Sequence, residues 1–405
     1  MRHLYKVFNE QDKSTFEKQF AARSTFDSAV HFDLDIKPIN QPEAFDLFYI
    51  PTNKMLQQMS TVQKLTRLLN HTHDKLPSVA RHQFLLECLV EELYNTNELE
   101  GVRSTKKEIA RSVREAQSNK KSNSRFNSMS HLYLRLVNGE ISLPKVPADV
   151  RTIYDDITKG EIDSKELPDG ETFRKDTTFI YKKSGSGKVI HRGVHPESNI
   201  KKALEKLIHF MDENEEVPLI IKAIVGHFFF GYVHPFYDGN GRTSRFISSM
   251  YMSTELGKVS AMSLSRGCNK YSKKYLEAFE NTNSFKSKGE MNHFIETLME
   301  IIIDALQEMN TELKEKYELL TKAKNKIRQD SQLPNDKHRE IMFIIAQNYF
   351  FDYSDGITVK ELAHETEQSK VTVRKILNEL MALDLLKQTG KRPAFYTIDC
   401  SYIES

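Results

Sequence analysis

From Pro51 onward apolar residues return every three or four positions, the period of a helix that buries one face. Met55, Met59, Val62, Leu65 and Leu69 form the first such stripe. Phe84, Leu85, Cys88, Leu89 and Leu93 form a second and predict a helix from about Pro77 to Asn97. Lys106 to Gln117 and Arg125 to Val137 read as two more. Before Pro51 the first forty residues carry little helical pattern and end in proline-containing turns at Pro38 and Pro42. The period changes between Thr177 and Val194. There TTFIYKK and KVIHRGV flank Ser184-Gly185-Ser186-Gly187, and two β-prone runs around a glycine–serine turn predict a hairpin. Helical spacing resumes from about Glu197 to Met211, from Val217 to Tyr232 and from near Gly241 to about Glu255. Residues 270 to 284 read as helical again.

A long helix is predicted from about Met291 to Arg328. Ile302, Leu306, Met309, Leu313, Tyr317, Leu320 and Ile327 share one stripe near heptad spacing. Packing within the chain or a dimer-forming coiled coil would each bury it, and the short run of heptads favours the first. The polar stretch SQLPND, Ser331 to Asp336, then punctuates a boundary. Beyond it a helix ends near Phe351, and a short helix from Val359 to His364 leads through a polar turn to a second one, Lys370 to Met381. Leu385 to Gln388 and Ala394 to Ile398 are strand-like, with a tip from Thr389 to Pro393. This is the rhythm of a winged helix-turn-helix. The chain is therefore expected to be mainly α. An N-terminal helical region would span 1–120, a helical domain with a small β-hairpin 121–330, and a winged-helix domain 337–405.

Composition narrows the class only a little. With 405 residues, 39% hydrophobic and 28% charged, the chain reads as globular and long enough for two or three domains. A net charge of +2 argues neither for nor against a nucleic-acid partner. Cys88, Cys268 and Cys400 lie far apart with no metal-spaced pair, as suits a reducing cytoplasm. The opening MRHLYKVFNE lacks an apolar signal core. The longest apolar run, Leu219 to Val233, is interrupted by Lys222 and His227 and is too short to cross a bilayer. A cytoplasmic protein with no membrane partner is the expectation.

The chemistry is concentrated in His234-Pro235-Phe236-Tyr237-Asp238-Gly239-Asn240-Gly241-Arg242, followed by Arg245. A helix is predicted to end just before this run and another to start near Gly241. Gly239 and Gly241 let the backbone approach a ligand closely. The free N–H groups at the start of the second helix, with its dipole behind them, suit phosphate oxygens. Asn240 can orient the loop or donate to a phosphate. Arg242 and Arg245, three apart, can reach the same side of a polyphosphate. Asp238 is a hard carboxylate placed where Mg²⁺ would meet phosphate oxygens. His234 is placed to act as a general base for a hydroxyl, near its free pKa of about 6.5. Phe236 is expected to point inward and anchor the loop. Ser186-Gly187-Lys188 is no phosphate loop, because Val189 replaces the hydroxyl residue and Lys182 the first glycine.

The run fits HxFx(D/E)GNGRxxR at every defined position, and in this the chain resembles the Fic family of nucleotidyl-transferring enzymes over roughly Gln41 to Ile303. The resemblance implies a Fic-type helical domain that moves AMP from ATP to a Ser, Thr or Tyr hydroxyl of a target protein, and to itself. His234 would take the hydroxyl proton and Asp238 would hold Mg²⁺ across the α- and β-phosphates. The Gly239-Asn240-Gly241 backbone, the Asn240 side chain and Arg242 would cradle those phosphates, and Arg245 would bind the γ-phosphate. The hairpin would be the flap that clamps the target segment. Lys274-Tyr275 stands where many relatives carry a Tyr-Tyr pair, so only Tyr275 carries over to an adenine pocket. Thr96 to Gly101, TNELEG, fits the family's inhibitory pattern (S/T)xxxE(G/N), which implies that Glu100 pairs with Arg245 and blocks the γ-phosphate. In some relatives that glutamate also supports AMP removal.

Two other readings stay open. The same fold could transfer another phosphorus group, although the full GNGRxxR end favours a triphosphate. Alternatively the chain could be a nucleotide-sensing DNA-binding regulator. Helix-turn-helix modules resembling the C-terminal one occur beyond the catalytic domain in many Fic proteins. Here Lys370, Arg374, Lys375, Lys391 and Arg392 could meet DNA phosphates, while an interaction or dimer-supporting role suits its near-neutral charge better.

Overall fold

The structure is a computed structural model that describes residues 1–117, 125–181, 187, 189–213, 216–351 and 356–404. Its N-terminal forty residues, which carry little helical pattern, open on two short helices. Helices α1 (Leu4–Glu10) and α2 (Lys13–Ser24) lead into an antiparallel pair, β1 (Val30–Ile36) and β2 (Phe45–Tyr49). α2 starts where Asp12 accepts the Thr15 N–H at 3.0 Å. The two helices bury only Leu4, Val7 and Phe16, which pack with Phe48 and Ile50. Three apolar anchors over two short helices are too few to set up a visible period.

The next helices fall where the apolar stripes put them: α3 (Asn53–Asp74), α4 (Ser78–Leu99), α5 (Lys106–Gln117) and α6 (Asn127–Asn138). α3 begins with Thr52 accepting the Met55 N–H and buries Met55, Val62 and Leu69. The sequence reading passed over α7 (Pro147–Thr158), which starts on a proline at its first position, while the Asp149 carboxylate accepts the Val146 N–H. The predicted hairpin is present as antiparallel β3 (Phe179–Tyr181) and β4 (Val189–Arg192). Its tip, with Lys182, Ser184, Gly185, Ser186 and Lys188, lies outside the described residues.

α8 (Glu197–Glu213), α9 (Leu219–Val233) and α10 (Asn240–Leu256) follow. α9 is buried on nearly every side, and α8 and α10 pack against it. Short helices α11 (Lys258–Ala261), α12 (Leu264–Lys270) and α13 (Ser272–Thr282) lead to the long α14 (Asn292–Gln329). The stripe of α14 is covered within the chain, chiefly by α3, with α12, α13 and α15 (Asp336–Phe351) alongside. Ile302, Leu306, Met309, Leu313, Leu320 and Ile327 are all buried there, so this face is core rather than an open seam.

The remaining elements are β5 (Ile357–Thr358), α16 (Val359–Glu365), α17 (Lys370–Ala382), β6 (Leu386–Thr389), β7 (Phe395–Ile398) and α18 (Cys400–Glu404), with an antiparallel sheet in the order β5-β7-β6. Thr358 and Glu361 form a reciprocal capping box at the start of α16, and Ser369 caps α17 through the Thr372 N–H. α15 seats this part on α4: the Ala80 N–H donates to Gln347 Oε1 at 3.1 Å, and Phe84 meets Phe351 edge-on. One hydrophobic core runs from Phe32 in β1 to Tyr402 in α18. Among the described residues no helix is long and apolar enough to cross a membrane.

Candidate functional site

α9 runs out at Val233 because Pro235 cannot donate to a continuing helix. The chain turns on His234, which takes the left-handed conformation with φ 51°. A non-glycine residue there needs surroundings that hold it. The ring is held by Nδ1–H donating to the Gly231 carbonyl at 3.3 Å, which leaves Nε2 with its lone pair. Burial, and then the nearby Arg174 charge, push the His234 pKa down to about 4. The ring is therefore a neutral base throughout the neutral range, further from its free value than the sequence suggested.

The loop after it is pinned from beneath. Phe236 is fully buried and stacks on Tyr154 of α7 with centroids 3.7 Å apart. The Asn240 amide closes the loop on itself: Oδ1 accepts the Phe236 N–H at 3.0 Å and Nδ2 donates to the Phe236 carbonyl at 2.8 Å. The Asn240 side chain thus orients the loop, one of the two roles open to it, and Nδ2 keeps a second N–H. Gly239 has φ 78°, and a Cβ there would stand 2.7 Å from Thr158 Cγ2, so α7 leaves room for glycine alone.

At the start of α10 positive groups converge. Arg242 is buried, yet its Nε and Nη1 have no partner among the described residues, and Nη2 stands 3.8 Å from Asp238 Oδ2. A buried guanidinium with open donors at a helix N-terminus calls for an anion. Asp238 is half exposed, and its Oδ1 accepts the Gly239 N–H at 2.5 Å. Among the described residues no three His, Cys, Asp or Glu side chains converge as a metal site. A single carboxylate beside an anion cradle fits Mg²⁺, which completes its shell with phosphate oxygens and water.

Arg245 is taken up by α4. Its Nη2 donates to Glu100 Oε1 at 2.6 Å, and its Nε donates to Thr96 Oγ1 at 2.8 Å. α4 ends in a Schellman turn, with the Val102 N–H on the Asn97 carbonyl and the Gly101 N–H on that of Glu98. Gly101 supplies the required positive φ of 74°. That closure fixes Glu100 at the helix end, where the dipole disfavours an acid. Burial also pushes the Glu100 pKa up, but the Arg245 charge and hydrogen bond outweigh it and hold the group below its usual range. A Cβ on Gly241 would lie 2.0 Å from Glu100 Oε1, so this carboxylate rests directly over the first turn of α10.

Tyr275 reaches the same place from α13. Its hydroxyl lies 2.8 Å from His227 Nε2, and burial raises its pKa well above the ordinary phenol value. Arg245 and Glu100 are both close enough to act on it. His234, Asp238, Gly239, Asn240, Gly241, Arg242, Arg245, Glu100 and Tyr275 therefore surround one region. Sequence reasoning missed Tyr154, Arg174 and His191, whose Nε2–H donates to the Tyr232 carbonyl at 2.7 Å. The spacing of Val150, Ile153, Tyr154 and Ile157 behind Pro147 could have revealed α7.

Glu92, two turns before Glu100, is wholly buried and ties α4 to α12. It accepts the Ser265 N–H at 2.9 Å and the Ser265 Oγ–H at 2.5 Å. Burial raises its pKa from 4.5 to about 7 despite these bonds. The native state thus holds the proton more tightly than the unfolded chain, so this group makes stability fall as pH rises from about 4.5 to 7 and level off above. Glu92→Gln should remove that slope, shrinking the loss of unfolding free energy between pH ~5 and ~7 by about 2 kcal/mol. Chemical denaturation at the two pH values checks this, and an unchanged slope would exclude it.

A helix N-terminus with one buried guanidinium whose Nε and Nη1 have no partner among the described residues, joined by a pinned loop to a neutral imidazole, has the chemistry of an anion site in a helical domain. Residues 144–252, from just before α7 into α10, match the Fic/DOC family. The fold aligns with the crystal structure of a Fic family protein from Desulfovibrio desulfuricans G20 at TM-score 0.53 and 15% identity, over 87% of this chain and 98% of that one. Fic-1 from C. elegans aligns at TM-score 0.43 and 18% identity, over 64% of this chain and 74% of that one. A Fic domain containing signaling protein from Bacteroides thetaiotaomicron VPI-5482 aligns at TM-score 0.40 and 16% identity, over 65% and 97% respectively. The chain carries a Fic/DOC family domain at residues 144–252, set in a mostly helical Fic fold. Glu100 and Tyr275 reach that domain from outside the matched stretch.

Proposed function

We propose that the protein transfers AMP from ATP to a hydroxyl side chain of a target protein, itself included, and that Glu100 restrains it. The observation that carries this is the buried Arg242, with two unpartnered nitrogens at the N-terminus of α10, on the same loop as a neutral His234. The first turn of α10 and Arg242 would receive phosphate oxygens. The target oxygen would attack the α-phosphorus while its proton passes to His234 Nε2. The bond from that phosphorus to the bridging oxygen would break, and pyrophosphate would leave. Asp238 would hold Mg²⁺, whose charge offsets that of the phosphates. Catalysis is mainly positioning and charge complementarity. Arg245 would take the γ-phosphate once Glu100 leaves it, and Tyr275 would flank the nucleotide. The target segment would lie along β3, pairing through main-chain groups, with exposed Phe179 and Tyr181 offering apolar contacts. Intact mass of the Glu100→Gly protein after incubation with ATP and Mg²⁺ tests the reading, since a gain of AMP units is expected and no gain excludes it.

We read α15 to β7 as a winged helix-turn-helix, and one feature favours DNA as its partner. Among the described residues Lys370 and Arg374 on α17, and Lys391 and Arg392 at the β6–β7 tip, are exposed and have no carboxylate partner. Val371 beside them is 74% exposed and could meet a thymine methyl. Short duplex DNA titrated at several salt concentrations should bind more weakly as salt rises. The double variant Arg374→Ala, Lys391→Ala should reduce the salt slope by about two. Equal binding by both proteins would exclude this surface.

A further inference from the structure

Arg174 lies between α7 and β3 and is completely buried. Among the described residues it forms no ion pair. Its guanidinium donates instead to main-chain carbonyls: Nε to His234 at 2.8 Å, Nη1 to Asp176 at 2.6 Å, and Nη2 to Val194 at 2.8 Å and to Val233 at 3.4 Å. The Val233 and His234 carbonyls end α9, where the helix leaves acceptors unsatisfied and its dipole is negative. Asp176 and Val194 lie just outside the two strands of the hairpin. One planar fork therefore joins the helix end that carries the imidazole to both feet of the hairpin.

The surroundings are shaped to this fork. A Cβ on Gly193 would stand 2.4 Å from Arg174 Nη2 and 3.2 Å from His234 Cβ. The Val194 N–H donates to the Val233 carbonyl at 3.0 Å, and the Arg174 N–H to that of Pro235 at 3.3 Å. Tyr237 adds a second tie: its hydroxyl accepts the Asp176 N–H at 3.0 Å and donates to Asp169 Oδ1 at 2.9 Å. A buried cation without a counter-ion is costly and persists where its donors are matched. Lysine keeps the charge but cannot reproduce the fork.

We propose that Arg174 is the positioning residue of this site, setting where His234 stands relative to a hydroxyl-bearing segment laid along the β3–β4 hairpin. The inference rests on the transfer reading above. The left-handed turn at His234 is kept by carbonyls that Arg174 holds on both sides of it. The same guanidinium also helps keep the imidazole neutral, behind burial in importance.

The test uses full-length protein in the Glu100→Gly background, with Arg174→Lys and Arg174→Gln. Both should lose about 100-fold in kcat, as an ångström of misplacement costs, with KM for ATP nearly unchanged. His234 titrated by NMR with ¹⁵N-histidine should move up toward its ordinary pKa in the Gln variant and stay low in the Lys variant. The acid limb of the rate profile should follow it. A kcat close to that of the parent, or a loss confined to KM for ATP, would overturn the proposal. Should the Gln variant not fold, the Lys variant decides on kcat alone. Should the parent transfer nothing, the reaction reading fails by itself. The His234 titration still judges Arg174, because an unmoved His234 pKa in the Gln variant refutes its hold on the ring.

Discussion

Replacing His234 by alanine should reduce AMP transfer by roughly 10³-fold while leaving nucleotide binding intact, since a positioned general base contributes about 10²–10⁴-fold. The reason is local. Nδ1 is committed to Gly231, so Nε2 is the nitrogen free to accept a proton. With a pKa of about 4 the ring is already in its base form at neutral pH, and its rate should stay flat well below pH 7 before falling with acid. None of the groups that form the anion cradle depends on the imidazole, which separates the two readouts. Labelled ATP measures transfer, and calorimetry measures binding. Full transfer by the alanine variant would remove His234 from the chemistry.

Glu100→Gly should raise self-modification by about 10- to 100-fold, matching the 1.5–3 kcal/mol of a charged hydrogen bond. Arg245 can serve one anion at a time, and the carboxylate seated over Gly241 would compete with a phosphate for the same turn of α10. Without it, Arg245 is left buried and unpaired, at a cost to the fold of about 3 kcal/mol. ATP should then restore more stability to the variant than to the parent, because ligand binding to the native state stabilises by mass action. Thermal shift with ATP and Mg²⁺, in proteins that also carry His234→Ala, reads this without transfer. Equal shifts in both proteins, with equal labelling, would end the case for restraint by Glu100.

How far the sequence alone leads depends on the range of the contact. The His234 to Arg245 run was legible because its parts are neighbours in the chain. Helix end, proline, glycines and helix start lie within twelve residues. The stripes of α3, α4 and α14 were legible because each buries one long face. Glu100 was visible only as a short pattern: its meaning depends on α4 meeting α10 across 145 residues of sequence. Arg174 gave no signal at all, since a cation followed by Lys175 and Asp176 looks like surface, and only the ends of α9 and the hairpin make it interior. For Asn240 the sequence left orienting the loop and donating to a phosphate both open, and only the structure shows its amide closing on Phe236. The small N-terminal cluster escaped because three anchors cannot make a period.

α4 has 22 residues, a rod about 33 Å long. Gln347 and Phe351 grip it near one tip, and Glu100 sits at the other. The seat of the C-terminal elements and the carboxylate over the first turn of α10 therefore share a single support, at its opposite ends.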